Sequence, residues 1–279
     1  NAWRLEDVMR ELNTHEVDIT DLKGISKTMM EVSPEGIIHM ATYGAYPTVQ
    51  KDMQKILDTN YTGTINLIRA CDQIRYEMFI NTSSSSEYGL VSKSMSENDL
   101  PKPIDYYGAT KTGATVFCQT HTRITGAPIL TTRLFSVYGP YEEPIRLVSS
   151  TIKKCLRDEK LEFTKGMQKR DFIYTGDVED AYLVLLKRPD LKGEIFNIGT
   201  GTQYTIKEMV GAIIKETGTK SEPEWGMRPT KQFESFNWVA DMAKTNKLLD
   251  WKAKSGLDDG IKHTVAWMRD NLRHYEASS

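Results

Sequence analysis

A chain of 279 residues, 39% hydrophobic and 27% charged, carries enough apolar material for a substantial core and reads as a globular protein of one large or two unequal domains. Its formal net charge of −2 supplies no field for nucleic acid or an anionic membrane, so an anionic ligand has to be held by a few local arginines. Cys71, Cys118 and Cys155 fit neither a disulfide framework nor a zinc spacing, no histidines fall at metal-ligand spacing, and no apolar run reaches signal-peptide or membrane length, so a cytoplasmic protein without a metal is expected.

Short apolar stretches alternate with helical patterns, the arrangement of a parallel α/β sheet. Strands are predicted at residues 15–19, 36–41, 76–82 and 128–135. The first ends on Asp18 and Ile19, where a plain helix cap is the alternative reading for the acid. The second runs into His39-Met40-Ala41-Thr42 and then an aromatic loop from Tyr43 to Pro47, which either lines a pocket or merely packs. His39 itself reads as a core histidine.

A helix follows over residues 49–71, with Met53, Ile56, Leu57, Asn60, Thr64, Leu67, Ile68 and Cys71 on one face. Asn60 on that apolar face needs a hydrogen-bonding partner. The strand at 76–82 then leads into Thr82-Ser-Ser-Ser-Ser86-Glu87-Tyr88-Gly89. In the next long helix Tyr107 and Lys111 stand at i and i+4, on one face, so the ammonium is expected beside the phenol. An adjacent cation favours the phenolate and moves a group that ionises near about 10 towards use as a base. By itself such a pair recurs on many solvated helix faces and means little.

Downstream stand Arg133 to Pro140, reading R-x-x-x-x-Y-G-P, and Arg170-Asp-Phe-Ile-Tyr-Thr-Gly-Asp-Val178. From about Tyr141 the texture changes to a helix over 145–156, short Lys- and Glu-rich pieces, and a last helix near 257–272. Residues 1–140, with parts of 170–200, are therefore expected to form one domain and residues 141–279 mainly a smaller capping lobe.

The serine-rich strand end closed by Tyr88-Gly89, the Tyr107/Lys111 pair and the two arginine motifs, in that order, resemble the extended short-chain dehydrogenase/reductases of the nucleotide-sugar epimerase and dehydratase branch. The resemblance implies a Rossmann-like, doubly wound parallel sheet with a smaller C-terminal substrate-binding lobe. The glycine-rich turn of that fold is missing: no G-x-x-G-x-x-G or G-x-G-x-x-G occurs. Asn1-Ala-Trp-Arg-Leu resembles the segment just after the family's second strand, so roughly forty residues of a typical member, its strand-helix-strand and glycine loop, are expected to precede it.

By the same resemblance Ser84, Tyr107, Lys111 and Asn60 are the catalytic candidates. Asp18, Ile19, Met40, Ala41, Thr42, Asn60, Thr82, Tyr107, Lys111 and Phe135 are expected around NAD or NADP. Arg4 leaves the choice between those cofactors open. Ser84, Ser85, Tyr107, Ser136, Arg146, Leu147, Arg170 and Arg228 are expected around a nucleotide-diphosphate sugar, where guanidinium forks suit phosphate oxygens. Thr42 departs from the usual alanine, and Ser136 from an asparagine common in epimerases.

Dehydratases of this branch place an acid after the serine, because expelling a hydroxyl needs a proton donor. Ser85 and Ser86 stand there instead, and strand alternation is expected to turn Glu87 to the other face. The expectation is therefore an NAD(P)-dependent nucleotide-sugar epimerase acting through a 4-keto intermediate. A 4-ketoreductase is the alternative, with a 4,6-dehydratase or a non-catalytic scaffold further behind. The apolar stripes of the helices over 49–71 and 106–122, with the resemblance, point to a homodimer through a four-helix bundle.

Overall fold

The computed structural model describes residues 2–46, 49–229 and 237–275. In chain order, α1 (Leu22–Val32) leads to β1 (Gly36–His39), followed by α2 (Met53–Leu57), a π turn over Asp58–Thr62, and α3 (Gly63–Cys71). Then come β2 (Met78–Ser84), α4 (Tyr106–Thr125), β3 (Ile129–Leu134), β4 (Ser136–Tyr138) and α5 (Leu147–Cys155). The chain continues through β5 (Leu161–Phe163), β6 (Lys169–Arg170), β7 (Phe172–Tyr174), α6 (Thr175–Leu185), β8 (Ile195–Ile198), β9 (Tyr204–Thr205) and α7 (Ile206–Thr217). It closes with β10 (Pro223–Trp225), α8 (Ala243–Leu249) and α9 (Leu257–Asn271).

The central sheet is parallel, in the order β1-β2-β3-β8. Alternation along its strands sorts side chains onto two covered faces. Phe79 and Ile129 pack with Met29, Leu67, Ile68 and Cys118 beneath α1, α3 and α4. Met78, Ile80 and Leu130 face the other way, onto Val178, Ala181, Tyr182 and Leu185 of α6 together with Leu249 and Trp251. A separate apolar cluster joins α5, α7 and α9 through Val148, Ile152, Met209, Ile213, Ile261 and Val265.

Local chemistry sets the helix ends. Asp21, Asp52 and Asp105 each accept a backbone N–H at the start of α1, α2 and α4, and Thr205 with Glu208 makes a capping box on α7. Residues 15–19 are a correction: they form no strand. Val17 and Ile19 alternate as a strand would, but no described strand pairs with them, and His15, Glu16 and Asp18 stay exposed. Ile19 instead packs against Gly63 at the start of α3.

Candidate active site

The parallel strands deliver their C-terminal ends to one edge of the sheet, the edge at which open α/β sheets bind their ligands. A cavity of about 530 Å³ opens there, lined by Met40, Thr42, Thr82, Ser84, Ser85, Ser86, Tyr107, Lys111, Phe135 and Trp238 among others. A second cavity, of about 350 Å³, adjoins it and is lined by Glu142, Leu147, Val148 and Phe172. Tyr46, Ser136, Val137, Arg146 and Arg170 border both, so two guanidinium groups stand at the junction.

Two glycines make this geometry possible. A side chain on Gly108, in the first turn of α4, would stand 2.7 Å from the Ser86 carbonyl oxygen, so only glycine lets the helix start against the serine turn. Gly89 has φ +67°, and a Cβ there would run into the Lys102 carbonyl.

Tyr107 lies half-buried on the cavity wall, beside Ser84 and Thr42, which line the same cavity. Burial raises the phenol pKa, and the groups pulling it down are the Ser84 and Thr42 hydroxyls, then Arg146. Lys111 is 3% exposed and donates from Nζ to the Thr82 carbonyl at 3.0 Å. Burial pushes its ammonium down to about 8, against the opposing pull of Glu87. Spacing placed the two residues on one face, but only burial decides which form each takes.

Glu87 does not follow strand alternation, because β2 ends at Ser84 and Ser85–Tyr88 form a 3₁₀ turn. Its carboxylate is nonetheless turned inward and fully buried. It accepts from Arg133 Nε at 3.0 Å and Nη2 at 2.7 Å, from Thr115 Oγ1 at 2.6 Å, and from Ser83 Oγ. The Arg133 guanidinium also lies 4.5 Å from the Tyr88 ring centroid, and the Tyr88 hydroxyl donates to Asn197 Oδ1 at 2.6 Å.

Asn60, in the π turn, lines neither cavity. Its side chain accepts from Tyr43 N and donates to Tyr43 O, both at 2.8 Å, and donates to Thr110 Oγ1 at 3.2 Å. It ties the loop after β1 to α4 and so places Thr42 by Tyr107. His39 sits behind them at 3% exposure, its Nε2 2.9 Å from Thr64 Oγ1, and burial holds its pKa down to about 3.

The other expected residues divide. Ser136, Arg146 and Arg170 border the cavities, and Leu147 lines the smaller one. Arg146 is anchored by Glu142, whose Oε1 lies 3.0 Å from its Nε, and stands 5.9 Å from the Tyr46 ring. Asp18 is exposed and accepts from Thr20 N and Oγ1, and neither it, Ile19 nor Ala41 lines the cavity. Arg228 is exposed and outside both cavities, its backbone N–H bonded to the Phe163 carbonyl. Arg4 pairs with Glu143 at 3.0 Å and with the Tyr141 carbonyl. Of the aromatic loop after β1, Tyr46 lines the cavities and Pro47 lies outside the described residues.

Sequence reasoning missed Trp238 and Asp171. The buried Asp171 accepts from Thr200 N and Oγ1, Gly201 N and Ala240 N, stitching the segment that carries Trp238 to the arginine motif. Its place beside Arg170 in a short motif was the available signal. No group of described His, Cys, Asp and Glu residues has the clustering to hold a metal, and no described helix is long and apolar enough to cross a membrane.

A profile described as the NAD dependent epimerase/dehydratase family matches residues 1–199. The chain is 28% identical over 275 residues to a UDP-glucuronate 4-epimerase of Thermodesulfobacterium geofontis, spanning 97% of this chain and 84% of that one. It is 32% identical over 230 residues to the human dTDP-D-glucose 4,6-dehydratase, spanning 78% of this chain and 63% of the human one. The structure superposes on UDP-glucuronic acid 4-epimerase from Bacillus cereus, solved with UDP-glucuronic acid and NAD, with a TM-score of 0.86 at 28% identity, covering 97% of this chain and 86% of that one.

Proposed function

The chain is an enzyme of the NAD dependent epimerase/dehydratase family, and from that premise we propose that it is a nucleotide-sugar 4-epimerase. The observation that carries this reading is the meeting of Ser84, Tyr107 and Lys111 around one cavity while Glu87, the nearby acid of the serine turn, is locked away in a buried ion pair.

The residues present fit the nicotinamide half of NAD. Met40, Thr82, Lys111 and Phe135 meet at the carboxyl ends of parallel strands, with the Lys111 ammonium deep in the cavity where ribose hydroxyls can accept from it. Bound NAD would supply the hydride acceptor and donor for sugar C4. Tyr107, as the phenolate, takes the proton of the C4 hydroxyl and gives it back, and Ser84 holds that hydroxyl by a hydrogen bond. Phe135 gives the site an apolar wall.

Arg146 and Arg170, at the junction of the cavities, suit a diphosphate, with the nucleotide in the smaller cavity and the sugar in the larger. Holding the substrate by its diphosphate leaves the 4-keto ring free to turn its other face. The α5, α7 and α9 cluster then serves as the substrate-binding lobe. Ser85 and Ser86 offer hydroxyls too weakly acidic to expel a C6 hydroxyl, which favours epimerisation over dehydration. The relatives' names support a UDP-sugar as the substrate class.

The test is incubation of the purified protein with NAD and UDP-glucose or UDP-glucuronate. Conversion to the C4 epimer without a stoichiometric reductant is the expected result. A strict need for NADPH would replace the reading by a 4-ketoreductase, and loss of water by a dehydratase.

A homodimer belongs to the same proposal. Helices α2 and α4 present an apolar groove of about 360 Å³, lined by Met53, Leu57, Tyr61, Tyr106 and Gly113. Pairing of these helices across a two-fold axis as a four-helix bundle covers it, and a monomeric mass in light scattering at micromolar concentration would count against that arrangement.

A further inference from the structure

We propose that Trp238 is a positioning residue that sets specificity for the sugar substituent next to the reacting carbon, by fixing the direction in which Ser85 donates. The inference rests on the nucleotide-sugar reading above and deepens it.

The Trp238 indole Nε1 donates to Ser85 Oγ at 3.0 Å, and both residues line the larger cavity. Ser85 is 4% exposed, and its hydroxyl proton finds no acceptor among the described residues. A hydroxyl that already accepts from an indole, in a buried position, has its own proton to place, and the open direction is the cavity. It therefore offers a donor beside Ser84 and Tyr107. A substituent bearing an oxygen, such as a hydroxymethyl or a carboxylate, satisfies that donor, whereas a bare hydrogen leaves it unpaired in a water-poor site.

Trp238 is held firmly enough for this purpose. Its backbone N–H donates to Gln203 Oε1 at 3.0 Å, and the neighbouring Asn237 donates to the Lys93 carbonyl at 2.8 Å. Ala240 N donates to Asp171 Oδ2 at 3.1 Å. The Arg170 guanidinium stands 5.2 Å from the Trp238 ring centroid, so the indole also backs one of the junction arginines. These contacts tie the segment to both walls of the cleft, and the serine turn is rigid on its own account through Glu87.

The experiment compares UDP-glucose, UDP-glucuronate and UDP-xylose, which differ at C5, with the wild type, Trp238→Phe, Trp238→Ala and Ser85→Ala. kcat/KM is measured with NAD present, and affinity by calorimetry. The wild type is expected to favour the two oxygen-bearing sugars over UDP-xylose by about tenfold or more. Trp238→Phe, which keeps a ring under Arg170 but has no N–H, and Ser85→Ala should both shrink that ratio severalfold, with the affinity for UDP alone unchanged. A ratio that stays the same in both variants, however much the absolute rates fall, would overturn the proposal and leave Trp238 a packing residue. If the wild type turns over none of the three sugars, the epimerase reading fails, and the calorimetric ranking of the same sugars still decides the role of Trp238.

Discussion

Arg133 grips a single oxygen of Glu87 through two nitrogens, at 3.0 and 2.7 Å, and both side chains are almost wholly shut off from solvent, at 2% and 0% exposure. Breaking such a pair from one side strands the remaining charge, which costs about 3–5 kcal/mol, whereas replacing both partners by apolar groups is close to neutral. Glu87→Ala should therefore lower the urea midpoint strongly, and Glu87→Val with Arg133→Met should recover most of it. A loss under about 1 kcal/mol for the single change, the range of an exposed pair, would show that the pair is not what holds the serine turn.

Tyr107→Phe removes the phenol hydroxyl beside Ser84 and Thr42 while keeping the ring in place. The expected effect is a fall in kcat of about 10²- to 10⁴-fold with little change in affinity for the nucleotide sugar, as befits loss of proton transfer. Unchanged turnover would move the base elsewhere in the cavity.

In the absence of ligands the Tyr107 phenol should remain protonated through neutral pH, since burial raises it. Ultraviolet difference titration of the wild type against Tyr107→Phe reads this directly. A tyrosinate signal assigned to residue 107 below its ordinary range would contradict it. Lys111, pushed down to about 8, should lose its proton as pH rises through that value, and kcat/KM, which reports the free enzyme, should decline there.

His39 gives acid stability a sign. Its pKa is depressed to about 3 in the fold, while the unfolded chain takes up a proton near 6.5. Between those values the unfolded state binds more protons, so the stability contribution present above about pH 6.5 is lost as pH falls towards 3, at up to about 1.4 kcal/mol per pH unit. His39→Gln should flatten that part of the urea-midpoint profile. An identical slope in both proteins would mean that other groups carry the acid response.

The parts of the site that depend on short spacing were legible in the sequence. Tyr107 and Lys111 share a helix face because of the helical period, and Ser84 ends a strand whose apolar run announces it. The fold class followed from the same alternation. What spacing could not supply was burial and distant pairing. Whether Lys111 acts on Tyr107 depends on how water is excluded, Glu87 finds its partner in β3, and Trp238 reaches Ser85 across 153 positions of sequence. The alternation at 15–19 misled for a related reason: an apolar–polar rhythm makes a strand only where another strand offers a ladder. Asn60 was read correctly as needing a partner, but its partners, Tyr43 and Thr110, belong to segments that only the fold brings together.

Tyr106 and Tyr107 are neighbours on α4, yet the first lines the outer apolar groove at 61% exposure and the second lines the cleft. A rotation of roughly 100° about the helix axis is all that separates the two surfaces. The first turn of α4 is thus a wall with two sides, one lining the apolar groove and one lining the cleft. A substitution at Tyr106 therefore alters the outer groove without adding or removing an atom of the cleft lining.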